Sequence, residues 1–134
     1  MANKSAFVKM AAVAAAAFTL IGCSAADGYS DLRRAPSAAD AVPSALPDQA
    51  LDGFDLDSVR FVRAVDDTRL YLARGRDHPV CLLAYRGAAE WQGACGSEMT
   101  TMKSANFEVM IVKDGMPTRD GSTKVGENIL IKDR

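Results

Sequence analysis

From Asp57 onward the chain alternates short apolar runs with turn residues, and no stretch carries a helical period of any length. The runs predict six strands, at 59–65, 69–74, 79–86, 91–96, 107–119 and 122–132. Asp66-Asp67 turns the first pair, setting Phe61 opposite Leu72 and Val62 opposite Tyr71. Asp120-Gly121 is a stronger two-residue turn, because Gly tolerates the positive φ such turns require. It sets Val112 opposite Ile129 and Ile111 opposite Leu130. A turn at Asp114-Gly115 would instead place Pro117 inside a paired strand and remove a ladder bond, so Asp114-Gly115 reads as a bulge. Residues 97–105 read as a capped helical turn or a loop. The fold class that follows is mainly β, a small antiparallel sheet that is sandwich- or barrel-like.

The first 50 residues follow another pattern. Residues 1–22 have a basic start (Lys4, Lys9), an apolar stretch from Met10 to Ile21 and small residues at the end, the three parts of an export signal. As a helix the stretch would reach only about 18 Å, against roughly 30 Å of bilayer hydrocarbon, so it is too short to span. Leu20-Ile21-Gly22-Cys23 resembles a bacterial lipobox: a small residue for the peptidase, then a sulfur that takes lipid. A mature chain starting at Cys23, with acyl chains of the palmitate type, would be stably anchored, since two or three chains suffice where one is marginal. From Ser24 to Ala50, nineteen of 27 positions are Ala, Ser, Pro or Asp, and Tyr29 is the only aromatic. This composition predicts a disordered, flexible tether over 23–50, spanning on the order of 30 Å. Leu46 to Leu56 adds at most a short helical turn docked on the domain. The expected organisation is a signal peptide and signal helix at 1–22, a lipidated tether at 23–50 and a β-rich extracytoplasmic domain at 51–134.

Assigning Cys23 to lipid leaves Cys81 and Cys95 as an even pair in an oxidising compartment. A hairpin of 79–86 with 91–96 sets Cys81 opposite Cys95, Leu83 opposite Gly93 and Tyr85 opposite Trp91. Directly opposed cysteines are within disulfide reach. Closing a loop of about 15 residues is worth roughly 3 kcal/mol, a useful staple for a small core. The same register puts Trp91 on an apolar strip with the cysteines, Leu83 and Tyr85, which predicts a core anchor, with room for its ring at Gly93. Sixteen Lys and Arg against seventeen Asp and Glu leave a formal charge of −1, so there is no basic field for nucleic acid.

Asp57-Ser58-Val59-Arg60-Phe61-Val62, Tyr71-Leu72-Ala73-Arg74-Gly75-Arg76-Asp77, Val80-Cys81-Leu82-Leu83, Trp91, Cys95 and the closing Gly126-Glu127-Asn128-Ile129-Leu130-Ile131 are similar to small exported proteins and lipoproteins of actinobacteria. The resemblance covers roughly residues 55–132. It implies a shared exported β-rich domain with this cysteine pair and carries over no catalytic residue.

Candidate chemistry is sparse. His78, the only histidine, precedes Pro79 and excludes a multi-histidine metal site; with Asp77 it would carry a small envelope enzyme. Asp52, Asp55 and Asp57 offer oxygen ligands, yet Gly53 is misplaced and no bidentate Glu follows as a calcium loop requires. Met99, Met102, Met110 and Met116 suit soft Cu(I), but lacking histidine partners they read as core filling. Arg74, Arg76 and Arg86 would form a basic cluster for an anion or partner near one loop end. No metal or other cofactor is implied. The function expected is a non-enzymatic binding or scaffolding domain at the cell envelope, anchored on the extracytoplasmic face through Cys23, with an envelope protein or cell-wall glycan as partner. An accessory role in an envelope complex or transporter is the alternative, and the His78 enzyme a further one.

Overall fold

The computed structural model describes residues 28–134, so the signal, the lipobox and Cys23 lie outside the described residues. The expectation of a mainly β fold holds. Two four-stranded antiparallel sheets pack face to face as an open sandwich and do not close into a barrel. The first is a meander of β1 (Arg60–Val65), β2 (Thr68–Ala73), β3 (Val80–Gly87) and β4 (Glu90–Gly96), in that order. The second holds β5 (Thr101–Lys103), β6 (Phe107–Ile111), β7 (Ser122–Val125) and β8 (Ile129–Asp133), in the order β5-β6-β8-β7. Between the sheets, Leu70, Leu72, Val80 and Leu82 meet Phe107, Val109, Ile111, Ile129 and Ile131. β6 is buried at alternate positions, as a strand with one face on the core must be. β3 is different. Val80, Cys81, Leu82, Leu83 and Ala84 are all buried, which requires cover on both faces of the first sheet.

The second cover is the segment read as tether. Over 28–50 that expectation is corrected, because the chain lies against the domain and contributes to its core. Tyr29 and Leu32, flanking and within the four-residue helix α1 (Ser30–Arg33), are both 1% exposed and join the core between the sheets. Further on, Leu46, Ala50, Phe54 and Val59 close over Tyr71, Ala73, Cys81 and Leu83 on the outer face of the first sheet. The chain here runs through single 3-10 turns, Ala38–Asp40, Asp48–Leu51 and Leu56–Ser58. Its Pro and Ala content suits a segment whose few large apolar groups are spaced by turns.

Hydrogen bonds latch this arm to the second sheet. Asn128, fully buried in the turn between β7 and β8, accepts the Asp31 backbone N–H at 2.9 Å through Oδ1. Its amide nitrogen donates to the Val112 carbonyl and to Asp114 Oδ1, both at 3.0 Å. Asp31 Oδ2 in turn accepts the backbone N–H groups of Glu127 and Asn128 at 3.0 and 2.9 Å. At the other sheet, Asp40 accepts the Phe61 N–H at 2.8 Å while Arg34, paired with Asp40, donates to the Phe61 carbonyl at 3.1 Å. An ion pair thus satisfies Phe61 on the outer edge of β1.

The hairpins divide between agreement and correction. The β3–β4 register is as expected, with Cys81 opposite Cys95, Leu83 opposite Gly93 and Tyr85 opposite Trp91. The cysteines form the disulfide. In the β1–β2 pair the Asp66-Asp67 turn is present, but a bulge at Val62 sets Phe61 opposite Tyr71 and Arg60 opposite Leu72. The long strands expected at 107–119 and 122–132 are each shorter or split. Gly126, at φ +61°, turns β7 into β8, and β8 pairs β6 with Ile111 opposite Ile129, one residue from the expected register. β6 ends at Ile111 and Asp114-Gly115 is a turn rather than a bulge, so Pro117 lies outside any paired strand and the objection to that turn does not arise. Residues 101–103, expected as loop or helical turn, are the edge strand β5.

Because Leu32 fills the space between the sheets, Leu32→Ala should cost about 2–5 kcal/mol in denaturant unfolding. A residue in a solvated tether would cost nothing measurable.

Candidate functional site

The disulfide hairpin places the most accessible chemistry of the first sheet. Cys81 and Cys95 face each other directly with Cα atoms 4.0 Å apart, the closeness of a non-hydrogen-bonded pair. Alternation along the ladder then makes Leu83/Gly93 and Tyr85/Trp91 non-hydrogen-bonded pairs as well, and Leu82/Ala94 and Ala84/Gln92 the bonded ones. The N–H and C=O groups of Trp91, Gly93 and Cys95 therefore point away from β3, off the edge of the sheet. Among the described residues they have no hydrogen-bond partner. The other edges are shorter or blunted. β1 carries the bulge and the Arg34–Asp40 pair, β5 has three residues, and β7 has four including Lys124. β4 runs seven residues with neither Pro nor Lys, the devices that usually protect an edge.

A cleft opens on each side of this strand. On the outer face, a cleft of about 440 Å³ is lined by Gln49, Asp52, Asp77, His78, Trp91 and Cys95, among others. On the inner side, one of about 310 Å³ is bounded by Ala84, Arg86, Glu90, Trp91, Gln92 and Ser104, among others. Trp91 lines both and is half-buried, packed at the rim of the outer apolar cluster. Its expected place as a core anchor is therefore only partly filled. The room above Gly93 is taken by Phe54 and the Ala50 carbonyl, the latter 3.2 Å from where a Cβ would stand. Gly75 shapes the neighbouring loop, since a Cβ there would overlap the His78 carbonyl.

The remaining candidates do not converge. Arg74 and Arg76 follow β2 at one end of the first sheet, whereas Arg86 lies near the far end of β3, within 3.6 Å of Glu90 and 4.0 Å of Asp67. The basic cluster expected from these three arginines is not assembled, because β3 separates its members. Among the described residues no group of His, Cys, Asp and Glu is placed to hold a metal ion, and Asp52, Asp55 and Asp57 do not come together. Met102 is in the core, while Met99 is exposed and Met110 and Met116 are half-buried, so the methionines form no joint site. His78 and Asp77 share the outer cleft, both exposed, and the His78 side chain makes no hydrogen bond among the described residues.

No family model, curated protein or solved structure matches this chain.

The carboxylates under the strongest electrostatic control are structural. Burial alone would raise the pKa of Asp40 and of Asp114, yet both are held down at about 2. For Asp40 the opposing force is the Arg34 guanidinium with the Phe61 and Ser37 backbone N–H groups. For Asp114 it is the Ser30 backbone and hydroxyl, Asn128 and Arg33. Neither residue stands out in the sequence, since a short acid in an Ala/Ser/Pro-rich stretch or beside a Gly reads as solvated. A carboxylate whose folded pKa lies below its unfolded value stabilises fully above about pH 4, and that contribution disappears as pH falls toward 2. Each should contribute on the order of 2 kcal/mol. Stability measured by urea unfolding should decline over that window, and Asp114→Asn should flatten the decline while lowering stability at pH 7.

Trp91 provides a second check. As the sole tryptophan, half-buried at the rim, it should be quenched by iodide to an intermediate degree in the dilute single chain. Trp91→Ala should cost less than the roughly 3–5 kcal/mol of a fully buried ring.

Proposed function

We propose that this chain is an extracytoplasmic protein held on a membrane by lipid on Cys23, acting as a non-enzymatic binding or scaffolding domain of the cell envelope. The observation that carries the reading is Leu20-Ile21-Gly22-Cys23 directly after a short apolar run, in a chain whose two other cysteines are bonded to each other. A disulfide in a domain this small fits an oxidising compartment. The resemblance to small exported lipoproteins of actinobacteria points the same way. Five peptide links separate Cys23 from Gly28, a span of at most about 18 Å. On this reading the domain rides close to the lipid headgroups, nearer than a tether reaching to residue 50 would hold it. The binding surface best suited to the role is β4 with its two clefts, which favours a protein partner. The enzyme reading is weaker, because a general base needs an oriented hydrogen-bond partner and His78 has none among the described residues.

Cys23→Ser should move the protein from the membrane fraction to the soluble fraction, or leave an uncleaved precursor. Intact mass of the wild-type chain should show the added acyl groups. An unmodified mass, with partitioning that the substitution leaves unchanged, would remove the anchor from the proposal.

A further inference from the structure

We propose that β4 pairs antiparallel with β4 of a second copy of this chain, joining two four-stranded sheets into one of eight strands. The inference rests on β4 as the binding surface, and not on the lipid. A two-fold axis beside Gly93 sets Gly93 opposite the partner's Gly93 and Trp91 opposite the partner's Cys95. Every outward-facing residue of β4 then meets an outward-facing residue, and each opposed pair exchanges two N–H···O=C bonds. Moving the axis one residue either way sends one of the three to a residue outside the partner's strand. The centre is free of side chains, because both residues there are Gly. Glu90 falls opposite the partner's Gly96, and Gln92 opposite the partner's Ala94, so no charge in the strand meets a like charge.

Side-chain shape supports the same occupant. Trp91 and Cys95 both belong to the outer face of their strand, and Cys95 lines the 440 Å³ cleft with Asp52, Asp77 and His78. In the paired register each indole is carried toward the other copy's cleft, where Asp52 and Asp77 offer acceptors for its N–H. The surface is self-complementary in register, since each copy brings a partly exposed ring at the rim of its own cleft to the rim of the other, as a two-fold interface allows. The exposed part of Trp91 and the unpaired backbone of β4 would be covered in one step.

The test is the mass of the exported full-length chain by sedimentation over a concentration series, in detergent where the lipid requires it. The expected mass rises to two chains. Gln92 is exposed, and in this register it lies diagonally across the axis from the partner's Gln92. Gln92→Lys and Gln92→Glu should each raise the concentration at which two chains form, by up to about fivefold, and leave the unfolding midpoint unchanged at dilutions where the wild type is also a single chain. An equimolar mixture of the two variants should pair at lower concentration than either alone, as a two-fold contact that brings the two copies of residue 92 together requires. In the wild type, amide exchange at Trp91, Gly93 and Cys95 should slow at least tenfold as the dimer forms. A single chain at every concentration overturns the proposal, whether β4 exchanges freely or is protected by some other strand. So does a dimer that neither variant weakens, or one in which these three amides stay unprotected. None of these outcomes depends on the membrane fractionation of Cys23→Ser, so the dimer and the anchor stand or fall separately.

Discussion

The fold depends on a buried amide. Asn128 has no exposed surface, and a buried amide left without partners costs on the order of 1–3 kcal/mol for each unsatisfied group. Its oxygen and nitrogen are satisfied only where the turn between β7 and β8, the exit of β6 and helix α1 come together. α1 is four residues long and could not persist alone, since helix nucleation is unfavourable and short helices are marginal in water. Asp31 and Asn128 exchange backbone and side-chain bonds reciprocally, so the turn orders the helix and the helix satisfies the turn. Tyr29 and Leu32 are delivered into the core by that exchange.

Once the arm is fixed at its start, the rest of the first sheet follows. The chain leaves α1 along β1, where Arg34 and Asp40 occupy the donor and acceptor of Phe61 at the bulge, then crosses the outer face as Leu46, Ala50 and Phe54. This second apolar cluster roofs the disulfide. A β domain of some 80 residues has a marginal core of its own. Here it is supplemented by an arm of about thirty residues and by a cross-link worth roughly 3 kcal/mol in the chain-entropy model. The two reinforcements meet at Phe54, which packs beside Gly93 on the strand that carries Cys95.

The parts legible in the sequence are those set by local pairing. The β3–β4 register could be read because a short connection, a cysteine pair and a Tyr/Trp pair all agree on one alignment. The β6–β8 register could not, because Asp120-Gly121 is a good turn in isolation and the competing pair is closed through Gly126, with β7 intervening in the chain but not in the sheet. A shift of one residue in a strand exchanges its faces, and apolar residues at adjacent positions such as Ile111 and Val112 blunt that penalty at the level of pattern. The arm was hidden for another reason. Its buried groups, Tyr29, Leu32, Leu46, Ala50 and Phe54, follow no period, and Ala, Ser and Pro between them resemble a linker. The signal that could have found it lies elsewhere, in the unbroken apolar run Val80-Cys81-Leu82-Leu83-Ala84. In an antiparallel sheet such a run demands a second cover, and among the described residues the arm provides it.

The treatment of the two edges of the first sheet is asymmetric, and the asymmetry bears on assembly. β1 is interrupted by a bulge and covered at Phe61 by an ion pair, whereas β4 carries three outward backbone pairs and a partly exposed indole. Edges are normally blunted because an unprotected one recruits any extended chain. A specific partner of matching length is the remaining means of control, and a second β4 has that length by construction. Under the anchored reading, both copies must also reach the same membrane through links of at most about 18 Å. An isologous pair can satisfy this only with its two-fold axis close to the membrane normal. Confinement to one surface then raises the effective concentration of each edge for the other, so modest affinity between free domains would suffice. Five links allow little adjustment, so the position of Gly28 relative to β4 sets whether anchoring and pairing can operate together.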